Sequence, residues 1–355
     1  MTAQRLIVAA RVRAVPVRAV PVGAALPLAA LLAITLVLAP LPHDVAHASP
    51  WTVPQGAVAV TLGTEFVTAT DEWLPDGTFQ EYPLDGRFTG YRLRLTTRIG
   101  LTDRTELSLS TAYMQNNFNV DGFYLGAPPE ELADLDQLRD GFINLQNDAT
   151  GIGDVFMHLR SRLATQRRWL LTSEIELRVP TRYGRPTGTF INDDPSQGVG
   201  NQVALGEGRV AAGAALLLGL VPTSGLYITQ TVGFRYRFEG PPPQLHGAFK
   251  IGGRVAPMLV PWFTVDGVWS LGTGDSVGLS FITSDPSQPA NRFDPSTLTT
   301  IERTLDEAWL RLGVGTTIPL GTQSIDFGYY YVALGRSTAR SHTVSASVII
   351  LIGGP

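Results

Sequence analysis

Apolar and polar residues alternate along most of this chain, from position 57 to position 352. Alternation with a period of two is typical of β-strands, because successive side chains of a strand point to opposite faces. In the clearest run Tyr91 and Leu93 share an apolar face, and Arg92 and Arg94 lie on the other face. Such runs predict strands that are apolar on one side and charged on the other.

Twelve runs of this kind follow one another, and no helical pattern interrupts them. They cover residues 57–66, 91–99, 106–113, 154–163, 169–179, 210–220, 226–238, 249–255, 263–271, 308–318, 325–334 and 343–352. Single-chain barrels of bacterial outer membranes have an even number of strands. The pattern therefore predicts an all-β fold, a transmembrane antiparallel up-and-down β-barrel of about 12 strands.

The predicted connections alternate in length. Tight links fall near 102–104, 164–168, 221–225, 257–262 and 319–323, and long ones at 71–88, 117–151, 181–206 and 274–304. Two links on the long side, near 240–243 and at 337, are short exceptions. Outer-membrane barrels have short periplasmic turns and long outer loops, so this alternation predicts both termini in the periplasm.

Aromatic residues near the strand ends also favour a barrel in lipid, since aromatic girdles mark both membrane interfaces. The candidates are Trp169, Trp262 and Phe263 beside the tight turns, and Tyr91, Tyr113, Tyr236 and Phe238 toward the long loops. The alternative is a soluble sandwich or propeller, which would pack the apolar faces together and turn the charged faces to bulk water.

The first 48 residues have the features of an export signal. Several arginines precede an apolar run at 24–38, and Ala46-His47-Ala48 matches a cleavage site. We therefore predict a signal peptide at 1–48 and the outer-membrane barrel at 49–355. A late-annotated start codon or an uncleaved anchor is the alternative. Because only about eight residues would then precede the first strand, we expect no plug domain.

Composition excludes several classes of protein. The chain has no cysteine, which removes disulfides, thiolate zinc sites and cysteine nucleophiles. The net charge of −4 and the pI near 5.8 argue against a partner nucleic acid, which requires a basic surface. A hydrophobic content of 44% is too high for a disordered chain.

Two short motifs resemble a known family. Gly151-Ile152-Gly153-Asp154-Val155 opens one strand, and the next strand ends in Leu177-Arg178-Val179-Pro180-Thr181 before Gly184 and Gly188. This arrangement resembles the outer-membrane barrel family named for the meta-pathway of phenol degradation. The resemblance, which extends over about residues 57–352, implies a transporter of the outer membrane.

The inward faces of the predicted strands carry many charges. A dry core could not hold them, because each unpaired buried ion costs several kcal/mol, but a lumen that contains water can. The candidate lumen and solute-contact residues are Arg92, Arg94, Arg98, Glu106, Arg160, Arg162, Glu174, Glu176, Arg235 and Arg237.

Two interpretations of these charges remain open. The arginines could form an electropositive ladder that guides anionic or aromatic solutes. Alternatively, cross-strand pairs of Arg160 and Arg162 with Glu174 and Glu176 could neutralise one another and brace the wall. The run from Arg92 to Arg98 faces only Glu106 across its own hairpin, so we expect solute contact there first.

The long loop at 119–150 contains a proline start at Pro128 and leucines at helical spacing up to Leu138. It could fold inward and narrow the pore, or form a short helix over the rim. The sequence does not distinguish these two arrangements.

A lipid hydrolase or deacylase is the enzymatic alternative, and it needs a serine within hydrogen-bond reach of a histidine. After the predicted signal peptide the histidines are His158, His246 and His342. Ser341 adjoins His342, but neighbours in a strand point to opposite faces. We therefore expect no catalytic residue, no enzyme, no metal and no cofactor.

The leading hypothesis is an outer-membrane channel or facilitator for passive transport of small solutes, with hydrophobic or aromatic ones as candidates. The expected partners are outer-membrane lipid, a small-molecule solute and the barrel-assembly machinery. A structural barrel with a lumen closed by ion pairs is a further alternative.

Overall fold

A computed structural model describes residues 50–82, 85–119, 123–124, 142–143, 146–183, 203–274, 276–283 and 298–353. The predicted signal peptide lies outside these residues, and so does most of the 119–150 loop with its predicted helix. Within the described residues, no helix has the length and apolar content to cross a membrane.

Twelve long strands form the main sheet of the described residues. They are β1 (Val58–Ala69), β2 (Arg87–Gly100), β3 (Thr105–Asn119), β4 (two segments, Asn147–Ile152 and Val155–Gln166), β5 (Trp169–Val179), β6 (Ala211–Thr223), β7 (Leu226–Arg237), β8 (Gln244–Gly253), β9 (Val260–Ser270), β10 (Ala308–Leu320), β11 (Gln323–Arg336) and β12 (His342–Ile352). Each predicted strand corresponds to one of them.

The sheet closes on itself. Every strand pairs antiparallel with the next one along the chain, and β12 pairs with β1 in a register that sets Val58 opposite Ile352. Closure leaves no free edge in the ring, which is the condition for strands to cross a bilayer. The predicted twelve-stranded, up-and-down barrel is confirmed.

The outer surface of the ring is apolar. Tyr91, Leu93 and Leu95 of β2 are all exposed, and so are Leu109 of β3 and Ile175 of β5. Large apolar side chains are left on the surface in this way when their solvent is lipid. The barrel is therefore a membrane-spanning one, of the type that bacterial outer membranes contain.

The aromatic positions follow the prediction with one correction. Tyr91, Tyr113, Tyr236 and Phe238 are exposed toward the loop end, and Phe263 is exposed near the turn end. Trp262 is not a girdle residue, because it is buried in the lumen, where its indole donates a hydrogen bond to Asp326 (3.1 Å). Trp262 and Phe263 are neighbours in β9, so only one of them can face lipid.

Strand β4 is interrupted at Gly153 and Asp154. Its first segment pairs with the half of β3 near the long loops, and its second segment pairs with the half near the tight turns. Gly153 lies so close to β3 that an added Cβ would come within 2.7 Å of the Met114 sulfur. The interruption turns Asp154 inward, where it contacts Arg178.

Short strands lie outside the ring. Asp71–Trp73 pairs with Phe79–Glu81 and with Thr338–Ala339, and Phe123–Tyr124 pairs with Phe142–Ile143. Ser276–Thr283 and Leu298–Thr304 form a hairpin beyond β9 and β10. These elements belong to the long connections, so the loop end of the barrel carries most of the additional structure.

Candidate functional site

The lumen is the candidate functional site, and a buried network of charges covers one part of its wall. Glu106 is the centre of this network and is fully buried. Its carboxylate accepts two hydrogen bonds from Arg98, both 2.8 Å long, and lies 3.4 Å from Arg160. Two cations on one buried carboxylate satisfy the condition that buried charges be paired.

The buried network continues onto β5 and β7. Arg160 donates to Glu174 at 2.5 Å, and Arg235 donates through two nitrogens to the Glu176 carboxylate at 2.6 and 3.1 Å. We define the buried network as Arg98, Glu106, Arg160, Glu174, Glu176 and Arg235. Three basic and three acidic side chains balance one another in it.

The predicted pairing of Arg160 with Glu174 is therefore present, but Arg162 has a different partner. Arg162 donates to the hydroxyl of Thr52 at 2.5 Å, and Glu176 is bound by Arg235 instead. Arg237 is also enclosed: it donates to the carbonyls of Pro242 and Leu305 and to Ser270. These arginines brace the wall.

A second group of charges is much more open to water. Arg92 and Arg94 share Glu65 of β1, at 3.6 and 3.2 Å, and Arg311 of β10 pairs with Asp266 at 2.9 Å. The side chains of Arg92, Arg94 and Arg311 are 32%, 40% and 34% exposed. We define the exposed arginine group as Glu65, Arg92, Arg94, Asp266 and Arg311, in which three cations share two carboxylates.

Aromatic rings lie beside the exposed arginine group. Arg311 stacks on Tyr330 at 4.7 Å from the ring centroid, and Lys250 lies 4.1 Å above the ring of Trp262. Contacts of this kind stabilise a cation by about 0.5–2 kcal/mol, depending on how far it is removed from water. This part of the lumen therefore places aromatic rings and positive charges side by side.

The turn end of the lumen contains residues 50–56, which we call the N-terminal segment. Arg98 donates to the carbonyl of Trp51 (2.6 Å), Glu106 accepts from the amide of Val53 (2.8 Å), and Thr172 donates to the carbonyl of Pro50 (2.7 Å). The segment thus touches the wall at β2, β3 and β5.

The same segment reaches the opposite part of the wall. Trp51 packs against Tyr227 of β7 and Val260 of β9, and Pro50 lies against Gly219 of β6. A segment with partners on so many strands lies across the lumen. The N-terminal segment is too short to be a plug domain, and the alternating pattern of the sequence did not predict its place inside the lumen.

At the loop end, residues 203–208 fold into the lumen, and we call them the loop segment. Val203 and Leu205 are 4% and 6% exposed, and Leu205 packs against Ala112 and Met114 of β3. Asn116 donates to the carbonyl of Ala204 at 2.8 Å. The loop segment narrows the lumen from the side opposite to the N-terminal segment.

Charges fix the loop segment in place. Glu207 lies 2.9 Å from Arg178 and 3.4 Å from Arg237, and Tyr183 donates to Asp154. Burial alone would raise the pKa of Glu207, but the charges of Arg178 and Arg237 outweigh it and hold that pKa below its ordinary value. Burial and the charge of Glu207 raise the pKa of the nearby Glu307.

Several residues of the two sequence motifs meet at this point, whereas Gly184 and Gly188 lie outside the described residues. Gly153 allows the close approach of β3, Asp154 pairs with Arg178, and Thr181 donates to the carbonyl of Ile152. The two motifs therefore build one cluster that receives the loop segment. These residues can be identified from the sequence motifs. Glu207 cannot be identified in the same way, because it lies in a loop segment without an alternating pattern.

Two of the three histidines of the hydrolase alternative, His158 and His246, lie near one another in the lumen, and His342 lies elsewhere. His158 lies in the lumen, with Nδ1 3.3 Å from Glu174, whereas exposed His342 shares a 2.6 Å hydrogen bond with Tyr329. Tyr329 is itself an exposed residue of β11. Among the described residues, neither His158 nor His342 has a side-chain hydrogen bond with Ser341.

No known family profile matches this sequence, and no curated protein is similar to it. Solved structures do share its architecture. The COG4313 outer-membrane channel from Pseudomonas putida F1 is 12% identical and superimposes with a TM-score of 0.58, over 87% of this chain and 100% of its own. The chain has the fold of an outer-membrane β-barrel.

Other similar structures superimpose less well. The translocator domain of the autotransporter NalP from Neisseria meningitidis is 10% identical, with a TM-score of 0.41 over 84% of this chain and 89% of its own. A TodX monoaromatic hydrocarbon channel variant is 9% identical, with a TM-score of 0.39 over 84% and 91%. Identities of 9–12% do not confirm the family suggested by the motifs.

Proposed function

We propose that this protein is a passive outer-membrane channel for small solutes. One observation carries the proposal: the apolar barrel encloses charges, and the most exposed of them are the arginines of the exposed arginine group. A wall whose charges are all neutralised and buried needs no water, whereas half-exposed cations require it. Solutes would pass along Arg92, Arg94 and Arg311.

The chemistry of this path favours solutes that combine negative charge or polarity with a flat apolar face. Three cations for two carboxylates leave a positive excess, and the rings of Tyr330 and Trp262 lie beside them. Aromatic rings attract other rings and apolar faces. This supports the aromatic solutes named in the leading hypothesis, and we propose membership of the meta-pathway family on the two motifs that resemble it.

The two inserted segments are the proposed restrictions of the path. The N-terminal segment crosses the turn end, and the loop segment narrows the loop end. Transport would require at least one of them to move aside by thermal motion, since diffusion through a barrel uses no other energy. Lipid around the apolar surface and the barrel-assembly machinery are the partners that we propose for the barrel itself.

A reversible lock tests the proposal. The Cβ that Gly219 would carry lies 3.2 Å from the Cβ of Pro50, close to the spacing of about 3.8 Å in disulfides. Because the chain has no native cysteine, this crosslink is the only disulfide that the double variant Pro50→Cys/Gly219→Cys can form within one chain, and non-reducing gels separate it from crosslinked dimers. Conductance in planar bilayers, and swelling of vesicles in aromatic carboxylates or neutral aromatics, are then measured before and after reduction.

We expect the oxidised double variant to conduct little and the reduced form to conduct like the wild-type protein. The single variants Pro50→Cys and Gly219→Cys control for the substitutions themselves. Equal conductance of the oxidised and reduced forms would show that the N-terminal segment is not a restriction. An absence of conductance in every form, with normal folding, would favour the structural barrel with a closed lumen.

A further inference from the structure

Three metal-binding side chains meet on the lumen wall between β4 and β5. His158 and Glu176 are direct partners in the strand register, and Glu174 precedes Glu176 by two residues on the same face. One ligand atom from each of them lies within 4.8 Å of the other two. The Nδ1 atom of His158 is 3.3 Å from Glu174 Oε1 and 4.0 Å from Glu176 Oε2.

These separations suit a single ion. Zinc binds imidazole nitrogen and carboxylate oxygen at about 2.0–2.2 Å, which at tetrahedral angles keeps its donors about 3.4 Å apart. The two carboxylates are almost entirely buried, and His158 Nδ1 has no hydrogen-bond partner among the described residues. The Nδ1 nitrogen of the imidazole is therefore available to bind a metal ion, next to two carboxylate oxygens whose positions are fixed.

We propose that His158, Glu174 and Glu176 form a lumen site for a divalent transition-metal ion such as zinc. One nitrogen and two oxygen donors suit zinc and its first-row neighbours better than magnesium, which prefers an all-oxygen shell. A second imidazole lies close to the site: His246 of β8 lies over Gly233 of β7, the register partner of Ala215 of β6, and Ala215 is the register partner of Glu174.

Arg160 and Arg235 lie beside the site, but they leave part of the carboxylate oxygens free to bind a metal ion. Arg160 binds Oε2 of Glu174 and leaves Oε1 free, and Arg235 uses part of the capacity of the Glu176 carboxylate. Ligating carboxylates in metal sites are commonly held by such outer hydrogen bonds, which orient them. The two positive charges also repel a cation, so we expect weaker binding than at a structural zinc site.

The three residues of this site can be grouped from the sequence once the hairpin of β4 and β5 is recognised. Glu174 and Glu176 alternate onto one face, and the preceding strand carries His158 at the position that the hairpin sets opposite them. A bound dication would add two positive charges to a wall whose arginines and glutamates otherwise balance.

Equilibrium dialysis of the folded protein in detergent against zinc, with magnesium in excess, tests the proposal directly. We expect one zinc ion per chain. His158→Gln and Glu174→Gln should each weaken binding by at least about tenfold, because each removes a ligand. His342→Gln is the matched control, since it removes a histidine from outside the site and should leave binding unchanged.

Heat-dependent gel mobility checks that each variant is folded. If Glu174→Gln does not fold because Arg160 loses the nearer of its two carboxylate partners, His158→Gln decides alone, since His158 pairs with no arginine. A second measurement uses copper in place of zinc, with electron paramagnetic resonance. The nitrogen splitting from His158 should be present in the wild-type protein and absent in His158→Gln.

An absence of zinc binding by the wild-type protein would overturn the proposal. Equal binding by the wild-type protein and a folded His158→Gln variant would overturn it as well. Neither outcome depends on conductance, so the metal site and the channel function are tested separately.

Discussion

The buried network and the exposed arginine group contain the same residue types on the same inner surface, yet they differ in their access to water. Glu106 in the buried network is completely enclosed and carries two arginines, whereas Glu65 in the exposed group is 23% exposed and also carries two. Enclosure of Glu106 depends on the N-terminal segment, because the amide of Val53 covers the carboxylate.

This difference separates the stabilising charges from the charges available to a solute. A charge pair removed from water is costly to break, because the remaining partner is left buried and unpaired. A pair that water reaches contributes little to stability, because solvent screens it. Residues of one type along β2 therefore have different roles: Arg98 holds the N-terminal segment, and Arg94 faces the open lumen.

Replacing the two glutamates by glutamine gives the largest expected effect on this comparison. Glu106→Gln should lower the free energy of unfolding by about 3–5 kcal/mol, because Arg98 loses its charged partner in a buried site and Arg160 loses one of its two. Glu65→Gln, the matched control, should change it by less than about 1 kcal/mol. Unfolding in guanidinium, followed by gel mobility, measures both. Equal losses would remove the distinction between the two groups.

Lowering the pH should release the loop segment before it affects the barrel. The folded-state pKa of Glu207 lies below its ordinary value of 4.5, so its stabilising contribution is present above that value. That contribution is lost as the pH falls through the lowered pKa. Over this range the protection factors of the amides of residues 203–208, which compare their exchange with that of an unfolded chain at the same pH, should fall in the wild-type protein.

Glu207→Gln provides the control for this pH dependence. The variant cannot titrate at position 207. The amides of its loop segment should therefore have low protection factors already at neutral pH, and these factors should change little on acidification. If the variant and the wild-type protein showed the same pH profile, Glu207 would not be the group that holds the segment.

Removing one contact of the N-terminal segment should have a smaller effect. Thr52→Val keeps the shape of the side chain but removes the hydroxyl that accepts from Arg162. We expect a loss of about 0.5–1.5 kcal/mol, the usual contribution of one hydrogen bond, and more frequent opening events in single-channel recordings. Thr61→Val on β1 is a comparison without this contact. Unchanged opening in Thr52→Val would assign the segment's position to its other contacts.

Neutralising Arg94 should have the smallest effect on stability but should change ion selectivity. Its pair with Glu65 is too exposed to contribute more than about 1 kcal/mol. Arg94→Gln should shift the reversal potential in a salt gradient toward lower anion preference, because the lumen loses part of its positive excess. Arg254→Gln, at an exposed turn, should leave the reversal potential unchanged. A shift of equal size in both would place the selectivity outside the lumen.

Much of the fold could be predicted because each strand carries its own alternating pattern. The run from Tyr91 to Ile99 specifies which side of β2 faces lipid without reference to any other strand. Trp262 shows the limit of this reasoning: its aromatic type suggested the membrane interface, but its position in the alternation places it in the lumen beside Asp326. The location of Trp262 therefore follows from the face of the strand on which it lies, and not from its aromatic character.

Alternation is a local property of the chain, so the strands, their number, the face that each turns to lipid and the charged character of the lumen can all be derived from the amino-acid order. The enclosure of particular charges cannot be derived in this way, because it depends on the folded barrel. The N-terminal and loop segments have no period, and their contacts with Glu106, Thr172, Arg178 and Arg237 join residues far apart in sequence. Which partner covers a given charge depends on closure of the ring, since only a closed barrel brings distant strands around one space.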